Sequence, residues 1–149
     1  MNDWKVGGVQ YLPVIAQLEL KHNLPTDLLA RVAYQECSWR PEVIDYSTPS
    51  AAGALGMFQL EPRDFPQVLQ KRGWAADGED AAAELARLYA HFHDWQLCIA
   101  AYNWGEGDVD RWLADGAVAA LPRETNNYVR QVFADVPISG FIFGTSLNA

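Results

Sequence analysis

The sequence predicts a mainly helical chain folded as one domain, residues 1–149, on three observations. Apolar residues recur at three- and four-residue spacing through most of the chain. Short stretches rich in proline and glycine punctuate the periodic segments. The 149 residues, half of them hydrophobic, are also enough for one core, since a chain of this size leaves about 7,600 Å² accessible and buries about two thirds of its unfolded surface.

Each element follows in order. Residues 12–22 form a first helix with Leu12, Ile15, Leu18 and Leu20 on its apolar side. Leu24-Pro25 interrupts it. Thr26 then suits an N-cap and Asp27 a first turn. The second helix runs to about Trp39, where Pro41 ends it. Residues 45–56 read as a turn-rich loop, Met57 to Leu60 as a short helix, and Pro62 to Arg72 as another. Leu85, Leu88, Tyr89 and Phe92 mark a helix over 79–92, and Asp94 caps the next, which holds Leu97, Cys98, Ala101 and Tyr102. Gly105 and Gly107 bracket a break before a short helix with Val109, Trp112 and Leu113. Pro122 precedes a last helix with Tyr128, Val129, Val132 and Phe133. The apolar tail, 137–149, is expected to pack back on the body.

Composition removes several classes. Eleven Lys and Arg stand against 19 Asp and Glu, a net charge of −8, so nothing neutralises phosphates and no nucleic-acid partner is expected. No apolar run is long enough for a transmembrane segment. The N-terminus lacks the basic start and apolar stretch of a signal peptide, so Met1 reads as a natural start. Cys37 and Cys98 are read as buried thiols, or as one bridge if their helices touch. Of the six Trp, Trp95 and Trp112 are core candidates and Trp104 a cleft candidate.

Four blocks could carry chemistry. Glu36 follows Leu29, Val32 and Ala33 by seven, four and three positions, which sets it on an apolar helix face near the C-terminal end. Burial and the helix dipole both favour its protonated form, as a general acid requires. Alternatively, Glu36 pairs with an Arg such as Arg40 or slips to the surface. The segment from Ser50 to Gln59, with Gly53, Gly56 and Met57, either approaches a ligand closely or simply makes a tight turn. Tyr102, Asn103 and Trp104 gather at a helix end, as a sugar-binding wall or as core and helix stop. Glu124 opens a helix with Tyr128 four positions on, sharing its face or merely starting the helix. His91 and His93 point in different directions, no acidic partner stands at ligand spacing, and His22 is isolated, so no metal site and no cofactor is expected.

In order and spacing these blocks resemble the catalytic domain of the soluble lytic transglycosylase family, related to goose-type lysozyme. The resemblance covers about residues 24–133, opening at Leu24-Pro25 and closing at Glu124, Thr125 and Tyr128. It implies a lysozyme-like helical fold with a glycan-binding cleft, and cleavage of the β-1,4 bond between N-acetylmuramic acid and N-acetylglucosamine with 1,6-anhydro ends. By this resemblance Glu36 acts as acid and then base, the substrate's N-acetyl carbonyl stabilises the anomeric charge, and a second carboxylate is not needed, unlike in most glycosidases. Gln59, Ser50 and the backbone near Met57 fall in the substrate-binding segment. Tyr102 and Asn103 contact the N-acetyl side, Tyr128 orients Glu36, and Glu124 braces the cleft. The chain departs from the family in having Cys37 where serine usually follows the glutamate, and Phe58 where methionine or leucine is commoner.

Two rival functions stand beside this one. A hydrolytic muramidase needs a placed water and an acidic helper, for which Asp45 is the candidate. A non-catalytic glycan-binding or structural virion component needs no acid, and the intact Glu36 argues against it. Expected partners are peptidoglycan glycan strands, with the chain a monomer. The site of action is the bacterial cell wall, reached by bacteriophage delivery as an endolysin or virion enzyme, or by another export route.

Overall fold

The computed structural model describes residues 3–138. Seven α-helices are named here: α1 (Leu12–Lys21), α2 (Leu28–Cys37), α3 (Pro41–Ile44), α4 (Trp74–Phe92), α5 (Trp95–Trp104), α6 (Glu106–Ala114) and α7 (Arg123–Asp135). Two 3-10 segments, Asp3–Gly8 and Pro66–Gln70, complete the regular structure. Among the described residues strand pairing is limited to one isolated antiparallel bridge, Leu55 to Leu60. The predicted mainly helical class is what the chain adopts. By its contacts it divides into two compact units, Met1–Glu84 and Leu85–Ala149.

In the first unit α1 packs on α2, and α2 also meets the Asp3–Gly8 segment. Ile15, Leu28, Leu29, Val32, Phe58 and Val68 are all fully buried. Trp39 anchors the N-terminal segment, its indole Nε1 donating to the Trp4 carbonyl at 2.6 Å. A Cβ on Gly8 would stand 2.3 Å from the Trp39 ring, so only glycine admits the indole there. The core tryptophans are therefore Trp4 and Trp39. Trp95 and Trp112, expected inside, are only half-buried; Trp95 stacks on Tyr89 at 4.1 Å, and Trp112 donates to the Ala119 carbonyl.

In the second unit α5 packs on both α6 and α7. Asp94 caps α5 as expected, its side chain accepting from Leu97 N at 3.0 Å. Gly105, at φ 105°, makes the break between α5 and α6 alone. Gly107, expected to share that break, lies within α6.

Other expectations are corrected. Leu20, placed on the apolar side of α1, is 80% exposed, and the inward residue beside it is Glu19. Thr26 does not cap α2, whose N-cap position is Asp27 at φ 70° with no side-chain cap bond. The helix stops at Cys37 rather than Trp39, because Ser38 and Trp39 both adopt positive φ. Pro41 opens α3 rather than merely closing α2. No helix spans 62–72: Pro66 lacks an N–H and its ring would meet the carbonyl four residues back, so only the 3-10 segment forms. Met57 to Leu60 is a turn, closed by reciprocal 3.0 Å bonds between Leu55 and Leu60. α4 begins five residues earlier than the apolar pattern suggests, at Trp74. The tail from residue 139, expected to fold back, lies outside the described residues.

Candidate active site

The start of α2 depends on α1. Asp27 accepts an ion pair from Lys5 at 2.7 Å, so its carboxylate does not cap the helix. The orphan amides are met by Glu19 of α1 instead. Its carboxylate accepts from the N–H groups of Asp27 at 3.1 Å, Leu29 at 2.9 Å and Ala30 at 3.2 Å. Glu19 is 4% exposed, and burial raises its pKa against the lowering effect of these backbone bonds.

Glu36 stands at the other end of α2, half-buried, one residue before the last. Val32 and Ala33 behind it and Cys37 after it are all fully buried. The carboxyl thus occupies an apolar stretch of helix where the dipole opposes negative charge. Cys37 is a free thiol, pushed up to about 11 by burial and, secondarily, by the nearby Glu36 charge. Cys98 is also free and buried.

The glycine-rich loop follows α3. Ser50 is exposed, and its hydroxyl accepts from Ala54 N at 2.9 Å, closing the first turn. Gly56 at φ 81° and Gln59 at φ 50° bend the chain around Met57 and Phe58, whose side chains are fully buried. The Met57 side chain therefore offers a ligand nothing. Gln59 is half-buried and its Nε2 donates to the Gly56 carbonyl at 2.9 Å. Behind the loop, the Tyr46 hydroxyl donates to Asp77 Oδ2 and receives the Gly73 N–H. Asp45, the acidic helper of the hydrolytic reading, is exposed and accepts from Ser47 N, and its bonds to Ser47 hold its carboxyl below the usual range.

In the second unit, Asn103 joins α5 to the first turn of α7. Its Nδ2 donates to Glu124 Oε1 at 3.3 Å, and its Oδ1 accepts from Thr125 Oγ1 at 2.8 Å. Tyr102 is half-buried and Tyr128 is buried. The structure thus brings Asn103 and Glu124 together, while Glu36, Ser50, Met57 and Gln59 belong to the first unit.

The profile of the transglycosylase SLT domain family matches residues 13–119 of this chain. The chain belongs to that family. The matched span of the SLT domain contains Glu36, Ser50, Met57, Gln59, Tyr102 and Asn103, whereas Glu124 and Tyr128 of α7 lie beyond its end. Members of the SLT family are glycan-cleaving transglycosylases acting on peptidoglycan. No curated protein and no solved structure matches the chain. Among the described residues no helix is long and apolar enough to cross a membrane.

Sequence reasoning missed two acids of this SLT domain. It singled out Glu36 as the inward-facing carboxylate, yet Glu19 and Asp77 are the buried ones. The signal for Glu19 was present, since it takes the place on α1 that Leu20 was expected to fill. Asp77 gave none, because its partner Tyr46 is 31 residues away. The sequence also offered His91 no acidic partner at ligand spacing, and the fold supplies two, Asp110 and Glu106.

Proposed function

We propose that this chain cleaves the β-1,4 bond between N-acetylmuramic acid and N-acetylglucosamine without consuming water. The observation that carries the reading is that Glu36 lies inside the matched SLT span, half-buried at the end of α2, with Val32, Ala33 and Cys37 fully buried beside it. A carboxyl set against apolar groups at a helix C-terminal end is the kind of group a general acid requires. Glu36 gives this proton to the glycosidic oxygen as the bond to the anomeric carbon breaks. The substrate's N-acetyl carbonyl stabilises the anomeric centre. The ionised Glu36 then takes the proton of the muramic O6 hydroxyl as that oxygen attacks the same carbon, closing the 1,6-anhydro ring. One carboxyl thus serves both steps and is returned protonated.

Gln59, Ser50 and the backbone at Met57 bind sugar groups near the cleavage point in this reading. Tyr102 and Asn103 receive the N-acetyl side, Glu124 braces Asn103 through the bond described above, and Tyr128 orients the acid. The whole chain works as one catalytic domain on the bacterial cell wall.

Mass spectrometry of digested peptidoglycan tests the reaction. Anhydro ends, one water lighter than reducing ends, are expected, and reducing ends would establish a hydrolase instead. Glu36→Gln should lower cleavage by about 10²–10⁴-fold. Undiminished cleavage by that variant would remove Glu36 from the mechanism.

A further inference from the structure

Three side chains of the second unit converge with no part in the glycan chemistry proposed above. His91 comes from the last turn of α4, and Glu106 and Asp110 come from successive turns of α6. His91 Nε2 lies 2.8 Å from Asp110 Oδ1 and 3.7 Å from Glu106 Oε2. One ligand atom from each residue falls within 4.8 Å of the other two.

The two distances from His91 suit a particular ion, and the Glu106 and Asp110 oxygens lie within 4.8 Å of each other. Four-coordinate zinc holds nitrogen and oxygen ligands at about 2.0–2.2 Å, which sets neighbouring ligand atoms about 3.3 Å apart. The two His91 separations bracket that value. Imidazole with carboxylates is also a donor set that zinc accepts, whereas magnesium and calcium prefer oxygen alone. Two carboxylates four residues apart on one helix repel each other, so the Glu106 and Asp110 pair favours a cation between them. Arg87 engages Glu106 Oε1 at 2.8 Å, and it is the other oxygen, Oε2, that faces His91. The His91, Glu106 and Asp110 side chains keep 42%, 30% and 46% of their exposure, so an ion can enter from solvent and water can complete its shell.

We propose that His91, Glu106 and Asp110 form a zinc site that clips the end of α4 to α6. Its role is to stabilise the second unit, and it takes no part in bond cleavage. It stands or falls independently of the assignment of Glu36.

Isothermal titration of the full metal-free chain with zinc chloride tests this, with thermal unfolding followed in parallel. One zinc per chain and a raised Tm are expected, with no comparable binding of magnesium. His91→Ala and Asp110→Asn, on different helices, should each weaken zinc binding tenfold or more, while His93→Ala leaves it unchanged. Glu106→Gln provides a third variant if one of the others fails to fold. Absence of stoichiometric zinc binding, equal binding of magnesium, or full affinity in the folded ligand variants would overturn the proposal.

Discussion

Tyr46 and Asp77 share a 2.5 Å hydrogen bond in which the phenol donates, and the same phenol oxygen receives the Gly73 N–H at 2.9 Å. One side chain from the loop after α3 thereby fastens the beginning of α4. Tyr46→Phe removes both bonds and leaves the buried Asp77 carboxyl without this donor, at a cost of about 1–3 kcal/mol. Urea unfolding of the variant checks this. Gly56→Ala strikes the same place. A Cβ there would stand 2.9 Å from Asp77 Oδ2 and 3.0 Å from Tyr46 at a φ of +81°, and the strain should cost at least about 1 kcal/mol.

Acid should favour the fold through three carboxyls, Glu19 and Asp77, which are buried, and Asp94, which is half-buried. Burial raises the pKa of Glu19, Asp77 and Asp94 above their ordinary values. The folded chain therefore binds these protons more tightly than the unfolded chain. Their stabilising contribution is complete below the ordinary carboxyl range and is lost as pH rises through the native values. Asp45 and Glu79 are shifted the opposite way, but Asp45 is exposed and the Glu79 side chain keeps 38% of its exposure, so both are screened. Asp77→Asn should flatten the fall in stability between about pH 4 and pH 7, measured by denaturant unfolding across that range. An unchanged slope would show that Asp77 is ionised throughout.

Glu19 should matter as much as a capping residue within α2 itself. Glu19→Ala deprives two α2 amides and that of the N-cap residue Asp27 of their acceptor and is expected to cost about 1–3 kcal/mol. Glu19→Gln keeps one acceptor oxygen and should cost less. Comparing the two variants by chemical denaturation, together with α2 amide protection by hydrogen exchange, separates loss of the cap from loss of packing.

Both thiols should be silent in the folded chain. Cys37 and Cys98 are fully buried, and burial pushes them up to about 11 and about 12. At pH 8 almost no thiolate exists to react. Titration with an aromatic disulfide reagent should detect no fast-reacting thiol before denaturation and two after it.

The Asn103 junction should tie activity to helix packing. Asn103→Ala frees both Glu124 and Thr125 of α7 and should lower peptidoglycan cleavage by about tenfold or more, equivalent to about 1.4 kcal/mol. Thr125→Val removes one of the same bonds from a buried side chain that is not assigned to the substrate. It should cost about 1 kcal/mol of stability with a smaller loss of turnover.

Much of this architecture was legible in local sequence. The helices containing Leu12, Leu29, Leu97 and Val129 follow from apolar spacing, and the cap at Asp94 from its position. The early start of α4 was hidden by Gly78, which looks like a breaker but is a packing requirement: a Cβ there would meet Leu18 at 2.9 Å and Phe58 at 3.2 Å. The turn at Met57 was hidden because a short apolar run reads equally well as helix, and the positive φ of Gln59 leaves no mark on the sequence. Glu36, Asn103 and Glu124 are singled out by short local motifs, and the fold joins Asn103 to Glu124. Asp77 and the His91 group could not, because their partners arrive only with the fold.

The dependence of α2 on Glu19 bears on how such a domain can be rebuilt. The segment that contains Glu36 looks self-contained in one dimension, from Leu24 to Gln59. Its first turn is nonetheless completed by a carboxylate from the preceding helix. Transplanting that segment into a foreign scaffold would carry Glu36 across with its helix uncapped. The smallest transferable part is the α1–α2 pair, and recombination between related domains should succeed when the crossover falls before residue 12 and fail when it falls between Glu19 and Leu28.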